Sequence, residues 1–373
     1  MDPRPRQIAI FIPSLNGGGA ERAMATLANG FAQRGYAVDL VLVNAAGVFR
    51  NEVTNNVRIV DLGAKRVLSS VCKLADYLRR TQPDVLLSAM SHVNLIAIWV
   101  RFLTRVRTRV VVSERSTFSY AMQGLKKRSI AAWLIPKLVR ISYPMADAVV
   151  SVSNGVQKDL LHHVHLSPKR SHVIYNPVVD DILIKRAAES LDHPWFQPEE
   201  PPVILAVGRL TEAKNYSLLI KAFAQLRSER QCRLLILGEG SLRASLEALV
   251  KELGIADDVS MPGFAENPFP FMRQASVFVL SSSWEGLPGA LIQAMACGCR
   301  VVSTNCPSGP AEILENGKWG KLVPVNDQSA LVAAILDSLD DCNPPDVQLR
   351  AQFFSADHSV QAYLECLGLP KAS

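Results

Sequence analysis

The chain has 373 residues, 49% of them hydrophobic and 20% charged. It is too long for one ordinary core and too apolar for a disordered polypeptide, so two globular domains are expected. Its net charge of +6 is uneven: residues 1–190 carry 26 Lys+Arg against 13 Asp+Glu and the remainder is acidic, which directs the first half toward an anionic partner such as a membrane surface, a lipid phosphate or nucleic acid.

Arg4 and Arg6 precede the apolar run Ile8–Ile12, which ends at Pro13. The run is short and has no small-residue cleavage site after it, so it reads as a first buried strand and not as a leader. No apolar stretch reaches the ~18 residues that cross a bilayer. The seven cysteines include no CxxC pair, and Cys297 and Cys299 have no histidine cluster beside them. They read as reduced thiols of a cytosolic protein, not as zinc ligands.

Gly17, Gly18 and Gly19 follow the first strand. A helical pattern runs from about Ala20 to Arg34 and stops at Gly35. Strands are expected at Val38–Val43, Val85–Leu87, Val110–Val112 and Ala148–Val152, with helical segments between them. Pro194, Pro198, Pro201 and Pro202 then cluster, and 191–202 is expected to be a linker. Beyond it, strands at Val203–Val207, Arg233–Leu237, Val277–Leu280 and Val301–Ser303 alternate with helices at Tyr216–Arg227, Leu242–Leu253 and Ala290–Ala296. This alternation predicts an α/β class with two doubly wound, Rossmann-like domains facing across a cleft, residues 1–190 and 203–350. Residues 351–373 are expected to be a helix returning to the first domain.

The motifs follow predicted strands. The glycines of GGAER let backbone N–H groups approach an anion at a helix start, although a plain tight turn reads the same way. In GRLTEAKN, Arg209 offers a planar fork and Lys214 a point charge, a pair suited to a diphosphate. The alternative is a solvated loop neutralised by Glu212. In SSSWEGLPGALIQAMACG, Glu285 stands before a helix and Gln293 about one turn inside it, and both side chains suit sugar hydroxyls. The alternatives are a first-turn carboxylate and a helix-surface amide. CPSGPAEI, at residues 306–313, reads as a rigid turn leading to a short helix.

Taken together, GGAER, VGRLTEAKN, GEGSLR, EGLPGALIQAMACG and CPSGPAEIL resemble retaining glycosyltransferases of family 4, in the bacterial cell-surface polysaccharide and lipid-linked oligosaccharide branch. The resemblance spans nearly the whole chain and implies the GT-B fold. It implies that Arg209 and Lys214 hold the diphosphate of a nucleotide sugar, expected to be UDP-linked, and stabilise the leaving group. Glu285 matches the first Glu of the family's E-x7-E motif and would contact the donor sugar, with Gly286 and Leu287 beside it. The second Glu falls at Gln293, a departure that replaces a charge-assisted ribose contact by a neutral amide. Gly18 and Gly19 match the N-terminal glycine loop, and Gly263 and Phe264 lie where nucleobase contacts occur. His92 is the candidate for a histidine near the transferred sugar, and Glu114 and Arg115 are candidates for acceptor binding. A structural histidine and a structural ion pair are the alternatives.

The resemblance also implies a front-face retaining mechanism. Asp180-Asp181 reads as linker and Asp257-Asp258 as turn, so no DxD-like acidic pair is present, and neither a metal nor a cofactor is expected. Residues Lys126–Arg140 form a basic amphipathic segment that suits an anionic membrane surface, with a self-packed helix as the alternative. The expected partners are a nucleotide-diphosphate sugar, a lipid-linked glycan acceptor and the inner face of the cell membrane. Nucleic acid is not expected, because no aromatic-basic reading motif is present. The competing readings are a GT-B sugar-nucleotide epimerase and a non-catalytic nucleotide-sugar-binding subunit.

Overall fold

A computed structural model of the chain describes residues 6–16, 18–120 and 130–369, the side chains of 130–133 excepted. Gly17 and residues 126–129 of the basic segment lie outside the described residues. The chain forms two compact units, Met1–Pro177 with Ala356–Ser373, and Val178–Ser355.

The first unit contains β1 (Gln7–Ile12), α1 (Gly19–Gln33), β2 (Ala37–Leu42), β3 (Val57–Asp61), α2 (Val71–Thr81), β4 (Val85–Ala89), α3 (Ser91–Thr104), β5 (Arg109–Glu114), α4 (Ile130–Ser142), β6 (Ala148–Ser151), α5 (Asn154–His163) and β7 (Ser171–Val173). The second contains α6 (Asp181–Ala187), β8 (Val203–Val207), α7 (Tyr216–Glu229), β9 (Arg233–Leu237), α8 (Arg243–Glu252), β10 (Val259–Gly263), α9 (Phe269–Gln274), β11 (Val277–Leu280), α10 (Gly289–Ala296), β12 (Val301–Thr304), α11 (Pro310–Ile313), β13 (Lys321–Val323), α12 (Gln328–Asp340) and α13 (Val347–Ala351). The last helix, α14 (Ala356–Cys366), belongs to the first unit.

Each unit is built on one parallel sheet. The strand orders are β3-β2-β1-β4-β5-β6-β7 and β10-β9-β8-β11-β12-β13. Central strands such as IAIFI are buried along their length, as expected of parallel strands covered by helices on both faces. In the first unit, Ile8, Ile10 and Ile12 pack with Met24, Phe31, Tyr363 and Leu364, while Phe11 and Val112 face Leu74, Ile98 and Tyr143. In both sheets the order reverses beside the first strand of the unit, between β1 and β4 and between β8 and β11. Ligands of open α/β sheets bind at the carboxyl ends of the strands flanking such a reversal.

The domain boundaries differ from the sequence expectation. The chain changes unit at Pro177/Val178 and at Ser355/Ala356, and the proline-rich 191–202 stretch lies inside the second unit. The Val178 and Val179 N–H groups both donate to the Phe354 carbonyl at 3.1 Å. Arg186 donates to the Glu266 carbonyl at 2.7 Å, and Asn267 donates to the Arg186 carbonyl at 3.0 Å. The prolines suggested a linker, but the aromatic residues among them anchor the stretch: Trp195 packs under Arg233 and Phe196 against Phe271. Residues 351–355 also stay with the second unit, and the returning helix starts at Ala356. Short strands β7, β10 and β13 carry one or two apolar residues each, too few to stand out in sequence.

Candidate active site

In the second unit, the loops after β10, β9, β8, β11 and β12 emerge side by side along one carboxyl edge. Gly208 follows β8, and its N–H donates to the Leu237 carbonyl at 2.9 Å. The glycines of the β9 loop allow this approach. A Cβ on Gly238 would lie 2.0 Å from the Gly208 carbonyl oxygen, and one on Gly240 2.3 Å from that of Leu210. Leu210 is buried and pins the loop, while Arg209 beside it is exposed and has no side-chain hydrogen bond or ion pair among the described residues.

Lys214 is placed by the same loop. Its Nζ lies 2.6 Å from Glu285 Oε1, and the two side chains are 19% and 14% exposed, so the pair is screened from bulk water yet reachable. Ser282 Oγ donates to the same oxygen at 2.7 Å. Backbone bonds hold the two loops together: Ser281 Oγ donates to the Lys214 carbonyl at 2.8 Å and the Ser283 N–H to the Ala213 carbonyl at 2.8 Å. The β12 loop is attached in turn. The Glu285 N–H donates to the Pro307 carbonyl at 2.7 Å, the Ser308 N–H to the Glu285 carbonyl at 3.1 Å, and Ser308 Oγ to the Gly286 carbonyl at 3.0 Å. Burial together with the nearby Glu285 charge holds the Tyr216 phenol protonated. Burial pushes the Cys306 thiol up to about 12.

The structure thus brings Arg209, Lys214, Glu285 and Gly286 to one edge. Leu287 is buried in the loop before α10, Pro288 stands at the N-cap of that helix, and Gln293 is half-buried within it. Gly263 sits one loop beyond β9, where its carbonyl accepts from Gly238 N–H at 2.7 Å, and Phe264 next to it is 57% exposed. Sequence reasoning missed the direct Lys214–Glu285 pair. It also missed the supporting serines Ser281, Ser282 and Ser308, whose role is visible only once three loops meet. Of the acidic pairs, Asp180 caps α6 and Asp258 pairs with Arg227. Among the described residues no group of His, Cys, Asp and Glu is arranged to hold a metal.

In the first unit, Gly18 and Gly19 follow β1, and a side chain on Gly19 would meet nothing within 4 Å. His92 is the second residue of α3, at the end of β4 on the other side of the order reversal. Its ring keeps an exposed edge, while the surrounding protein costs the imidazolium hydration and lowers its pKa. Glu114 is 1% exposed, and both its oxygens are engaged: Ser91 Oγ donates to one at 2.9 Å and Tyr143 Oη to the other at 2.5 Å. Its carboxylate fixes the start of α3, and with it His92, and does not itself face solvent.

Burial pushes Glu114 up to about 6 against the pull of those hydrogen bonds. The folded pKa lies above the unfolded one, so this group's contribution to stability is complete below about 4.5 and lost as pH rises through 6. The difference is worth about 2 kcal/mol. Urea titrations at pH 5 and pH 7.5 should therefore show the wild type losing about 1 kcal/mol relative to Glu114→Gln as the pH is raised, part of the full difference having gone by pH 5. Parallel curves for the two proteins would reject a titrating Glu114.

α4 runs through Pro136, with Leu134, Lys137, Arg140 and Ile141 exposed. The last turn of α3 exposes Phe102 and Leu103 at 54% and 64%. Among the described residues no helix is long and apolar enough to cross a membrane.

Comparison with known proteins matches residues 17–181 to the family described as Glycosyltransferase Family 4 and residues 188–353 to Glycosyl transferases group 1. A Campylobacter jejuni N-acetylgalactosamine-N,N'-diacetylbacillosaminyl-diphospho-undecaprenol 4-alpha-N-acetylgalactosaminyltransferase is 30% identical over 352 residues, covering 90% of this chain and 91% of its own. A second C. jejuni enzyme, a GalNAc-alpha-(1->4)-GalNAc-alpha-(1->3)-diNAcBac-PP-undecaprenol alpha-1,4-N-acetyl-D-galactosaminyltransferase, is 28% identical, covering 97% of this chain and 98% of its own. Among solved structures, Anabaena HepE in complex with UDP and glucose superposes with a TM-score of 0.77 at 18% identity, over 97% of this chain and 99% of that one. The lipopolysaccharide outer core galactosyltransferase WaaB superposes with a TM-score of 0.71 at 19% identity, over the same shares. These neighbours share the GT-B fold.

Proposed function

Since the chain belongs to the family 4 glycosyltransferases, we propose that it moves a sugar from a UDP-linked donor to a lipid-linked glycan, with retention at the anomeric carbon and without a metal. The Lys214–Glu285 pair at the order reversal of the second sheet, with unpartnered Arg209 beside it, carries this reading. A diphosphate entering there meets two cations. Lys214 exchanges Glu285 for a phosphate oxygen, which frees the carboxylate for a sugar hydroxyl.

In the transfer step the acceptor oxygen bonds to the anomeric carbon on the face the diphosphate leaves. The carbon–oxygen bond to the diphosphate breaks, and the departing phosphate oxygen takes the acceptor's proton. Negative charge grows on the leaving group, and Lys214 and Arg209 oppose it from fixed positions. Cations in this role make a divalent ion dispensable. Turnover in excess EDTA should match that without it, and a loss of tenfold or more would refute the metal-free step.

The lipid-linked acceptor is supported by the names of the C. jejuni relatives and by charge. From Ser91 to Ala146 the chain has ten basic residues and one acidic residue, Glu114, which is buried. The exposed Phe102, Leu103 and Ile141 share this stretch, as fits docking on the anionic inner face of the cell membrane. The deciding experiment presents a panel of nucleotide sugars with membrane lipid extract and follows the products by mass spectrometry. A glycosylated lipid formed from one UDP-sugar is expected. Conversion of the donor sugar without acceptor would indicate an epimerase, and UDP-sugar binding without turnover a binding subunit. Gln293→Glu, which restores a charged acceptor at the ribose position, should tighten UDP by roughly three- to tenfold in calorimetry. An unchanged affinity would remove Gln293 from the nucleotide site.

A further inference from the structure

Tyr216 is the first residue of α7, two positions after Lys214. Asn215 between them is left-handed, with φ of 47°, and this sharp turn brings both neighbouring side chains back to the Cα of Gly208. A Cβ on Gly208 would stand 3.0 Å from the Tyr216 hydroxyl, 3.1 Å from Lys214 Cε and 3.6 Å from Lys214 Cδ. The bare glycine thus lets the phenol oxygen and the lysine stem lie side by side, next to the ammonium that pairs with Glu285.

The ring is built into the core of the second unit. Tyr216 is 4% exposed and packs in one cluster with Leu210, Leu219 and Phe223. A phenylalanine would fill that place equally well, so packing accounts for the ring and not for the oxygen. The hydroxyl makes no hydrogen bond among the described residues, yet it is not closed off from water. A buried tyrosine ordinarily ties its O–H to a partner. Here the polar tip of a core residue comes out bare beside the site.

Burial and the Glu285 charge both disfavour the phenolate, so at neutral pH the group is an uncharged O–H donor that lacks an acceptor. Its neighbour Lys214 is itself a donor, and Glu285 Oε1 already accepts from Lys214 and Ser282. The ligand that draws Lys214 away from Glu285 in the proposed reaction brings the missing acceptor. A diphosphate carries anionic oxygens, which accept more strongly than a sugar hydroxyl.

We propose that Tyr216 is a further catalytic residue, whose O–H donates a hydrogen bond to a non-bridging oxygen of the donor's β-phosphate. The proposal rests on the donor reading above and adds an uncharged third group to Lys214 and Arg209. The phenol keeps its proton throughout. The bond from the anomeric carbon breaks toward the diphosphate, and the departing phosphate oxygen takes the acceptor's proton. The hydrogen bond strengthens as charge gathers on that phosphate, so the hydroxyl favours the transition state over the bound donor.

Tyr216→Phe removes one oxygen and keeps the ring. The single-turnover rate, with the UDP-sugar that the wild type uses, is expected to fall roughly ten- to thirtyfold. UDP affinity in calorimetry should fall only about two- to threefold. UMP affinity should match the wild type, because UMP has no β-phosphate, and the thermal midpoint should hold or rise. An unchanged rate overturns the proposal. So does a slower rate with unaltered UDP affinity, which would move the hydroxyl to the sugar, and so do equal losses for UDP and UMP, which would mark a nucleoside contact or a disturbed core. Failure of the wild type to bind UDP would instead overturn the donor reading, whatever Tyr216→Phe does.

Discussion

Lys214→Ala is expected to lower turnover by about 10³-fold, equivalent to about 4 kcal/mol of transition-state stabilisation. The size follows from position. The ammonium lies 2.6 Å from Glu285 in a pair that is mostly shielded, so its field on a nearby phosphate is weakly screened. Without it, Glu285 keeps Ser282 as a partner but adds an uncompensated negative charge beside the incoming diphosphate. UDP should also bind roughly tenfold more weakly, less than the loss in rate, because charge on the leaving group is greatest in the transition state. Arg209, exposed and unpaired, should cost less when removed. Single-turnover measurements separate the two quantities. Equal losses in binding and rate would mean that Lys214 holds the donor but does not assist departure, and no loss in either would remove it from the site.

Gly238→Ala is expected to cost about 3 kcal/mol of stability and to weaken UDP binding in the protein that remains folded. Its φ of +152° is one that side-chain-bearing residues rarely adopt, and the added methyl would stand 2.0 Å from the Gly208 carbonyl oxygen. Neither backbone can yield alone. Gly238 N–H is committed to the Gly263 carbonyl and Gly208 N–H to that of Leu237. The strain therefore passes into the loop that carries Arg209 and Lys214. Gly289→Ala is the control: nothing lies within 4 Å of its Cβ position, and alanine suits a helix start at least as well. Urea unfolding of both variants checks the contrast. Similar midpoints would show that the two loops adjust to each other freely.

The central strands were legible because parallel β-strands buried on both faces read as unbroken apolar runs, as in IAIFI and VILAV. The site loops were legible because each directly follows such a run. The Lys214–Glu285 contact was not, since it joins residues 71 positions apart, and no local pattern specifies which loop a charge will face. The proline cluster at 194–202 misled for a similar reason. Local composition signals a turn-rich segment, but what ties it down is Phe271 and Arg233, far along the chain. Glu114 and Arg115 are sequence neighbours that the pleat sends to opposite faces, one to Tyr143 and the other to Tyr363.

The helix α14 sets the order of events during synthesis. The second unit is one contiguous stretch, Val178–Ser355, and can close on itself as soon as it is made. The first unit cannot, because Val360, Tyr363, Leu364 and Leu367 complete the core around Ile8, Ile10 and Phe31, and Gly30 lets Val360 approach the backbone of α1 closely. Its first 177 residues therefore leave the ribosome with α1 on that face of the sheet but the remainder of the face uncovered until residues 356–369 arrive.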